Sequence, residues 1–308
     1  MTPAREGLFA LRAHAKVNLD LRILATRADG YHELATVFQS LALHDTMTWH
    51  DEPGPFRLAC SAPGVPVDDT NLVSRAVRAM WSATGRTGTP AGFSVRLEKR
   101  IPVQAGLGGG SADAAAALVA LDRWWSLGWP TTRLAEVGAA LGADVPFFLE
   151  GGTAEGRGRG DQLVSLPDLP SHAVLLFVPA FGVSTADAYR WYDEDAVPSD
   201  SAPRPLCPST PDPRSIRPGS WPSEPDGWNE AFGRCRNDLE APVAARHPAI
   251  HDLLRRVRPR ARLAAMSGSG SAVFGLFASE EGATEACGRM MADGAGQGRR
   301  CFVARSIP

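Results

Sequence analysis

The stretch IPVQAGLGGGSADAAAA at residues 101–117 joins a glycine cluster directly to an alanine-rich segment. Glycines leave the backbone bare, so several N–H groups can turn toward one anion. Alanine favours helix, and the N-terminus of a helix carries partial positive charge and unpaired N–H donors. The stretch therefore predicts a phosphate-binding loop that opens a helix. It fits neither GxxxxGK[ST] nor GxGxxG, and a glycine-rich turn that only caps a buried helix is the alternative.

Lysine is almost absent from this chain. Of its 32 lysine and arginine residues, only Lys16 and Lys99 are lysines, in the segments AKVNL and EKRIP. A background so biased toward arginine is expected to replace lysines that only carry surface charge. Lysine differs from arginine in being a compact point charge. Retention of both lysines beside the glycine-rich stretch therefore indicates a chemical role, with retention by chance as the alternative.

Length and composition exclude several classes of protein. The chain has 308 residues, 44% of them hydrophobic and 21% charged, which is typical of a globular protein with one large or two modest domains. Its net charge of −2 gives no basic footprint for nucleic acid. We see no apolar run that could cross a membrane and no secretory signal. The five cysteines are scattered and odd in number, so we expect reduced thiols in a cytoplasmic protein.

Periodicity predicts a mixed α and β chain with one compositional break. Residues 194–227 are rich in Pro, Ser, Asp and Arg and predict an insertion outside the core. Helices are predicted at 111–126, 132–141, 238–257 and 279–293 and from Asn71 onward. Strands are predicted at 8–25 with a break near Ala15, as two stretches within 33–50, and at 92–97, 160–166, 172–178, 261–265, 272–277 and 299–304.

The segment AKVNLDLRILATRADGYHEL carries the next candidates. Lys16 and Asn18 are two residues apart, so on a strand both side chains point the same way. Asp29 and Gly30 form a turn that presents Tyr31 and His32 together. An aromatic ring beside an imidazole suits stacking on a flat ring such as a nucleobase. An ordinary hairpin with a surface histidine is the alternative.

Two further segments are candidates for the site: one carries a carboxylate, and the other forms a second glycine turn. In LGADVPFFLEGG, Asp144 is a candidate base that accepts a hydroxyl proton, with Lys16 as the partner that orients it. Its alternative role is to cap the helical turn that begins near Pro146. In AMSGSGSAVFGLF, Gly268 and Gly270 allow close backbone approach, either at the rim of an active site or in a plain tight turn.

Taken together, these segments resemble the GHMP kinase family. GLGGGSADAAA resembles the family's second motif and SGSGSAVF its third, and the resemblance spans roughly residues 10–165 and 172–305. It implies an α+β fold of two domains, an N-terminal α/β nucleotide-binding domain at 1–166 and a C-terminal ferredoxin-like domain at 167–308. The active site would lie between them, and 194–227 would be an insertion in the second domain.

The resemblance also implies a role for each candidate residue. Asp144 would be the catalytic base and Lys16 its charged partner, while Asn18, Tyr31, His32 and Tyr189 would bind a substrate that carries cytidine. The implied nucleotide-binding positions are Asn71, Lys99, Gly106, Leu107, Gly108, Gly109, Gly110, Ser111, Gly268, Ser269 and Gly270. One departure is Ala112, which stands where the family often has a second serine.

The implied activity is phosphorylation of a small-molecule alcohol, with ATP as co-substrate and Mg²⁺ as cofactor. Ser111 is the one candidate side chain for the metal, and the other metal ligands stay open. We expect a monomer or weak homodimer. Another kinase of the family, acting on mevalonate, homoserine or a sugar, is an alternative that the RADGYH segment disfavours. A nucleotide-binding module that has lost catalysis is a second alternative, and the presence of both Lys16 and Asp144 argues against it.

Overall fold

The computed structural model describes residues 8–196, 221–222, 227–292 and 300–308. Its strands are β1 (Leu8–Thr26), β2 (His32–Pro55), β3 (Arg57–Cys60), β4 (Ala91–Glu98), β5 (Thr153–Gly158), β6 (Gln162–Ser165), β7 (Ala173–Val178), β8 (Leu263–Met266), β9 (Val273–Phe277) and β10 (Arg300–Arg305). Its helices are α1 (Leu72–Ala83), α2 (Gly109–Trp124), α3 (Thr131–Ala139), α4 (Phe147–Glu150), α5 (Thr185–Ala196), α6 (Trp228–Phe232), α7 (Glu240–Arg246), α8 (Pro248–Val257) and α9 (Glu280–Met290).

The chain folds into two compact units that alternate along the sequence. The first unit contains the chain up to Lys16 together with Ala42–Val103 and Gly108–Gly151. The second contains Val17–Leu41, Gln104–Leu107 and the chain from Gly152 onward. Because the two units alternate in this way, a single domain boundary between residues 166 and 167 stays a prediction.

In the first unit, a small sheet packs against a helical layer. The second half of β2 pairs antiparallel with β4, and β3 pairs parallel with β4. Asn71 starts α1 because its side-chain oxygen accepts a hydrogen bond from the Val73 N–H. The small buried alanines of α2 let α1 pack closely against it. Trp49, Phe93 and Leu118 are almost fully buried in the core that results.

The second unit contains the ferredoxin-like fold that the resemblance implies. Strands β7 to β10 form an antiparallel sheet in the order β10-β7-β9-β8. With α8 between β7 and β8 and α9 between β9 and β10, the connection is β-α-β-β-α-β. Every residue of the central strand β7 is buried, as its continuous apolar sequence AVLLFV requires. The predicted α+β class is confirmed.

Two local predictions are wrong. Strand β1 runs through Ala15 without a break, and β2 is one strand of 24 residues rather than two. The helices predicted at about 238–257 are confirmed as α7 and α8, and Pro248 begins α8 and ends α7 before it. Strand β5 was not predicted, since its sequence TAEGRG has the glycines of a loop.

The cysteines also depart from expectation. Cys287 on α9 and Cys301 on β10 are joined by a disulfide, so the prediction of reduced thiols is wrong for this pair. Cys60 and Cys235 are free. Most of the insertion predicted at 194–227 lies outside the described residues. Within the part of the chain that is described, no helix is long and apolar enough to cross a membrane.

Candidate active site

The glycine-rich loop leads into α2 as the sequence predicts. Gly108 has the left-handed φ of +72° and is the residue that precedes the helix. A Cβ there would overlap the Phe148 ring, and a Cβ at Gly109 would lie 3.2 Å from Lys99 Nζ. Gly110 and Ser111 complete the first turn, which carries no acidic side chain. The turn therefore leaves bare N–H donors at the positive end of a buried helix, which suits a phosphate.

The start of the same stretch belongs to the second unit and contacts the second glycine turn. Gly106 has a φ of +73°, and a Cβ there would overlap the carbonyl oxygen of Ser267. Ser267 Oγ donates to the Gly106 carbonyl at 2.9 Å, and the Ala272 N–H donates to the Ala105 carbonyl at 3.1 Å. Leu107 is buried. The two glycine turns are therefore joined by hydrogen bonds to the Ala105 and Gly106 carbonyls, and the close approach leaves no room for a side chain at Gly106.

A buried asparagine supports the second glycine turn. Asn237 Nδ2 donates to the carbonyls of Met266 and Gly268, at 2.7 and 2.8 Å. Ser269 Oγ lies 3.1 Å from Thr185 Oγ1. Gly268 and Gly270 both have positive φ, as expected for a turn this tight. Sequence reasoning missed Asn237, because nothing in its local pattern indicates that it contacts a turn about thirty residues away.

The predicted catalytic pair lies within the first unit. Lys16 Nζ is 3.4 Å from Asp144 Oδ2, and the side chains are 4% and 34% exposed. The Lys16 stem also passes close to Gly108, since a Cβ at that glycine would lie 3.1 Å from Lys16 Cγ. Helix α4 has no side-chain hydrogen bond at its N-terminus, so Asp144 does not cap it. A partly exposed carboxylate that lies beside a buried ammonium and the glycine-rich loop has the chemistry to accept a proton from a bound hydroxyl.

The residues predicted to bind the substrate belong to the second unit. The His32 and Tyr189 rings are stacked, with centroids 4.8 Å apart and an interplanar angle of 20°. Tyr31 is 57% exposed, with the Arg159 guanidinium 5.4 Å from its ring centre. Asn18 is buried on β1 and donates from Nδ2 to Thr36 Oγ1 at 2.8 Å. The cluster offers one exposed ring and one stacked pair, arranged around the turn that precedes β2.

Lys99 sits in a buried charge cluster that the sequence did not reveal. Its Nζ donates to Asp113 Oδ2 at 2.7 Å and also contacts Asp45. Asp45 Oδ1 accepts the backbone N–H groups of Arg100 and Ile101. Burial raises the pKa of Asp113 to about 7, although the Lys99 ammonium opposes that shift. The cluster therefore holds the end of β4 against the first turns of α2.

The other predicted nucleotide contact, Asn71, has a structural role at the start of α1. Its Oδ1 accepts the Val73 N–H at 2.8 Å, and its Nδ2 donates to the Pro66 carbonyl at 2.6 Å. The side chains of Asn71 and Lys99 are thus both engaged within the first unit. Contact with a nucleotide at either position stays a prediction.

Stability is expected to depend on pH through Asp113. Because its pKa is raised on folding, the folded state binds more protons than the unfolded state between about pH 4 and pH 7. The free energy of unfolding should therefore fall as pH rises across that window, by at most about 1.4 kcal/mol per pH unit. Urea unfolding of the wild type and of Asp113→Asn measures this slope. In Asp113→Asn, the free energy of unfolding should no longer include the pH-dependent contribution of Asp113. An equal slope in both proteins would contradict the prediction.

Comparison with known proteins places the chain in a family. Residues 71–152 match the model of the GHMP kinases N-terminal domain, and residues 226–295 match the model of the GHMP kinases C-terminal domain. The chain belongs to the GHMP kinase family. Among its relatives are two 4-diphosphocytidyl-2-C-methyl-D-erythritol kinases. That of Moorella thermoacetica is 40% identical over 92% of this chain and 95% of its own length. That of Solibacter usitatus is 42% identical over 87% of this chain and 80% of its own length.

Two solved structures are similar to this chain over nearly its whole length. The crystal structure of a 4-(cytidine 5'-diphospho)-2C-methyl-D-erythritol kinase is 34% identical and has a TM-score of 0.73, covering 97% of this chain and 100% of that chain. Homoserine kinase from Cytophaga hutchinsonii has a TM-score of 0.69 at 19% identity, covering 100% of this chain and 96% of that chain. The second likeness supports the fold alone.

Proposed function

We propose that this protein transfers the terminal phosphoryl group of ATP to the 2-hydroxyl of 4-diphosphocytidyl-2-C-methyl-D-erythritol. The products are the 2-phosphate and ADP, and the reaction belongs to non-mevalonate isoprenoid precursor biosynthesis. The observation that carries the chemistry is the Lys16–Asp144 pair beside Gly108, where the phosphate loop enters α2. The names of the relatives at about 40% identity support the choice of alcohol.

Asp144 is the base in this proposal. It accepts the proton of the attacking hydroxyl while the new oxygen–phosphorus bond forms and the bond to the departing ADP oxygen breaks. Lys16 keeps the carboxylate in place and adds positive charge beside the phosphate loop. The bare N–H groups at the start of α2 bind phosphate oxygens. Each of these groups acts by position and charge, which is what phosphoryl transfer requires.

The nucleobase residues act by recognition. Tyr31 and Tyr189 offer aromatic faces for stacking, and His32 offers a hydrogen-bonding edge. Asn18 is assigned to a polar contact of the methylerythritol part. Substrates without cytidine should therefore be poor, because the hydrogen-bonding group of His32 would be left without its partner.

Magnesium is part of the proposal as an ion that accompanies ATP. Mg²⁺ usually keeps several waters and binds through substrate phosphates with one or two carboxylates. Among the described residues there is no group of three or more His, Cys, Asp or Glu side chains placed to hold a metal. The bare backbone of the loop suits phosphate oxygens, so we assign the ion to the phosphates and name no side-chain ligand. We also place the enzyme in the cytoplasm, as a monomer or weak homodimer.

Replacing Lys16 with arginine should be costly although the charge is kept. Lys16 is buried and its stem runs beside Gly108, so the larger planar guanidinium cannot occupy the same place. We expect kcat/KM to fall by roughly 10²-fold through misplacement of Asp144. Steady-state kinetics measure this, with the exposed Arg12→Lys on the same strand as the control. Equal activity of Lys16→Arg and the control would remove the requirement for a compact charge.

The position of the new phosphate tests the proposed reaction. Phosphorus NMR of the reaction with ATP, magnesium and 4-diphosphocytidyl-2-C-methyl-D-erythritol should show one new phosphomonoester signal. Carbon couplings should place it at the 2-hydroxyl. A phosphate on another hydroxyl would contradict the proposed orientation of the substrate, and no new signal would contradict the proposed substrate.

A further inference from the structure

The ring of His32 is fixed from several sides in the second unit. It is stacked on Tyr189, and the edge of Tyr192 meets it at 90° with ring centres 6.3 Å apart. Its side chain is only 8% exposed, although the neighbouring Tyr31 is largely open to solvent. Because the ring position is fixed, the hydrogen bonds that a neutral His32 offers to a ligand depend on which ring nitrogen carries the proton.

Asp193 determines which ring nitrogen of His32 carries the proton. His32 Nε2 lies 2.9 Å from Asp193 Oδ1, and a carboxylate can only accept a hydrogen bond. The proton of a neutral His32 is therefore on Nε2, which leaves a lone pair on Nδ1. No described residue forms a hydrogen bond with Nδ1, so this acceptor is available to a ligand.

Helix α5 carries both the residue that stacks on the His32 ring and the residue that orients it. Tyr189 and Asp193 are four residues apart on α5 and so lie on the same face, where one stacks on the His32 ring and the other orients it. Other carboxylates of the helix pair with arginines instead. Asp187 pairs with Arg190, and Asp195 pairs with Arg246. Asp193 thus differs from these two carboxylates because its partner is His32 rather than an arginine.

We propose that Asp193 is a positioning residue that sets nucleobase specificity by fixing His32 as the Nε2-protonated tautomer. The Nδ1 lone pair then accepts a hydrogen bond from the exocyclic amino group of cytosine. Uracil has a carbonyl oxygen at that position, which would face the same lone pair without a hydrogen between them. This inference rests on the proposed function for the assignment of cytosine to His32. It adds Asp193 as the residue that determines the preference for cytosine over uracil.

Binding of cytidine 5'-diphosphate and uridine 5'-diphosphate tests the proposal. Calorimetry should show that the wild type prefers the cytidine nucleotide and that Asp193→Ala loses about tenfold of that preference. Asp193→Asn can present an amide oxygen to Nε2 and should retain most of the preference. Asp195→Ala, on the same helix but paired with Arg246, is the control. Asp193 is 53% exposed, so its substitution leaves the core intact.

Nitrogen NMR of His32 provides a readout that a purely structural role would not change. Wild type and Asp193→Asn should show a protonated Nε2 at pH 8, whereas Asp193→Ala should show a mixture of tautomers. An unchanged tautomer or an unchanged preference in Asp193→Ala would overturn the inference, as would a wild type that binds both nucleotides equally. The proposed function fails separately, if the wild type binds the cytidine nucleotide selectively but does not phosphorylate the cytidylyl alcohol.

Discussion

Replacing Asp144 with alanine is expected to lower kcat by about 10²–10⁴-fold, the range typical of a lost general base. The variant should still bind ATP, because the start of α2 presents backbone N–H groups that do not depend on this side chain. Asp144 is 34% exposed and does not cap α4, so the fold should survive its removal, at the cost of leaving buried Lys16 without this carboxylate. Single-turnover kinetics and nucleotide binding measure the two effects separately.

The control for this variant is Asp69→Ala. Asp69 is an exposed carboxylate in the same unit, and its partner is the surface residue Arg78. Its loss should leave kcat unchanged, because an exposed ion pair contributes little. Near-normal turnover of Asp144→Ala would remove this residue from the mechanism. Loss of ATP binding together with turnover would assign Asp144 to nucleotide binding instead.

The second large effect is expected at Gly106. Alanine there would meet two penalties, a φ of +73° and a Cβ that overlaps the Ser267 carbonyl oxygen. Because that oxygen is backbone rather than the end of a flexible side chain, the two glycine turns would have to separate. We expect the free energy of unfolding to fall by at least about 3 kcal/mol, with activity lost in proportion to the displacement of the turns.

Gly64→Ala measures the cost of the positive φ without the steric overlap. Gly64 has nearly the same backbone conformation, with a φ of +78°, but a Cβ there would have no heavy atom within 4 Å. Its substitution should cost only the conformational part, about 1 kcal/mol. Urea unfolding followed by circular dichroism compares the two variants. Equal losses at Gly64 and Gly106 would show that the contact with Ser267 does not matter.

Much of the site could be predicted from sequence because it lies in short segments. The glycines at 106–110 and the alanines after them determine a loop and a helix locally, and both occur as predicted. Lys16 and Asp144 could be paired through their segments, and the structure places them 3.4 Å apart. The strands and helices of the tail follow from simple periodicity, and together they give the ferredoxin-like sheet.

The remaining contacts join residues that are distant along the chain. Asp45 and Lys99 are 54 residues apart, and His32 and Asp193 are 161 apart. Neither carboxylate stands in a segment whose local pattern marks it, since a single Asp on a strand or helix usually faces water. Asn237 was missed for the same reason. Local patterns predict which backbone segments form, whereas these side chains acquire their partners only when the segments pack.

The central claim is that this chain phosphorylates a cytidylyl alcohol with Asp144 as base. A coupled ADP-release assay with ATP and magnesium tests it most directly, offering 4-diphosphocytidyl-2-C-methyl-D-erythritol beside mevalonate, homoserine and galactose. We expect turnover with the cytidylyl substrate alone, and its loss in Asp144→Ala. Turnover with another alcohol would contradict the nucleobase assignment of Tyr31 and His32, and no turnover with any of the four would contradict the proposed catalysis.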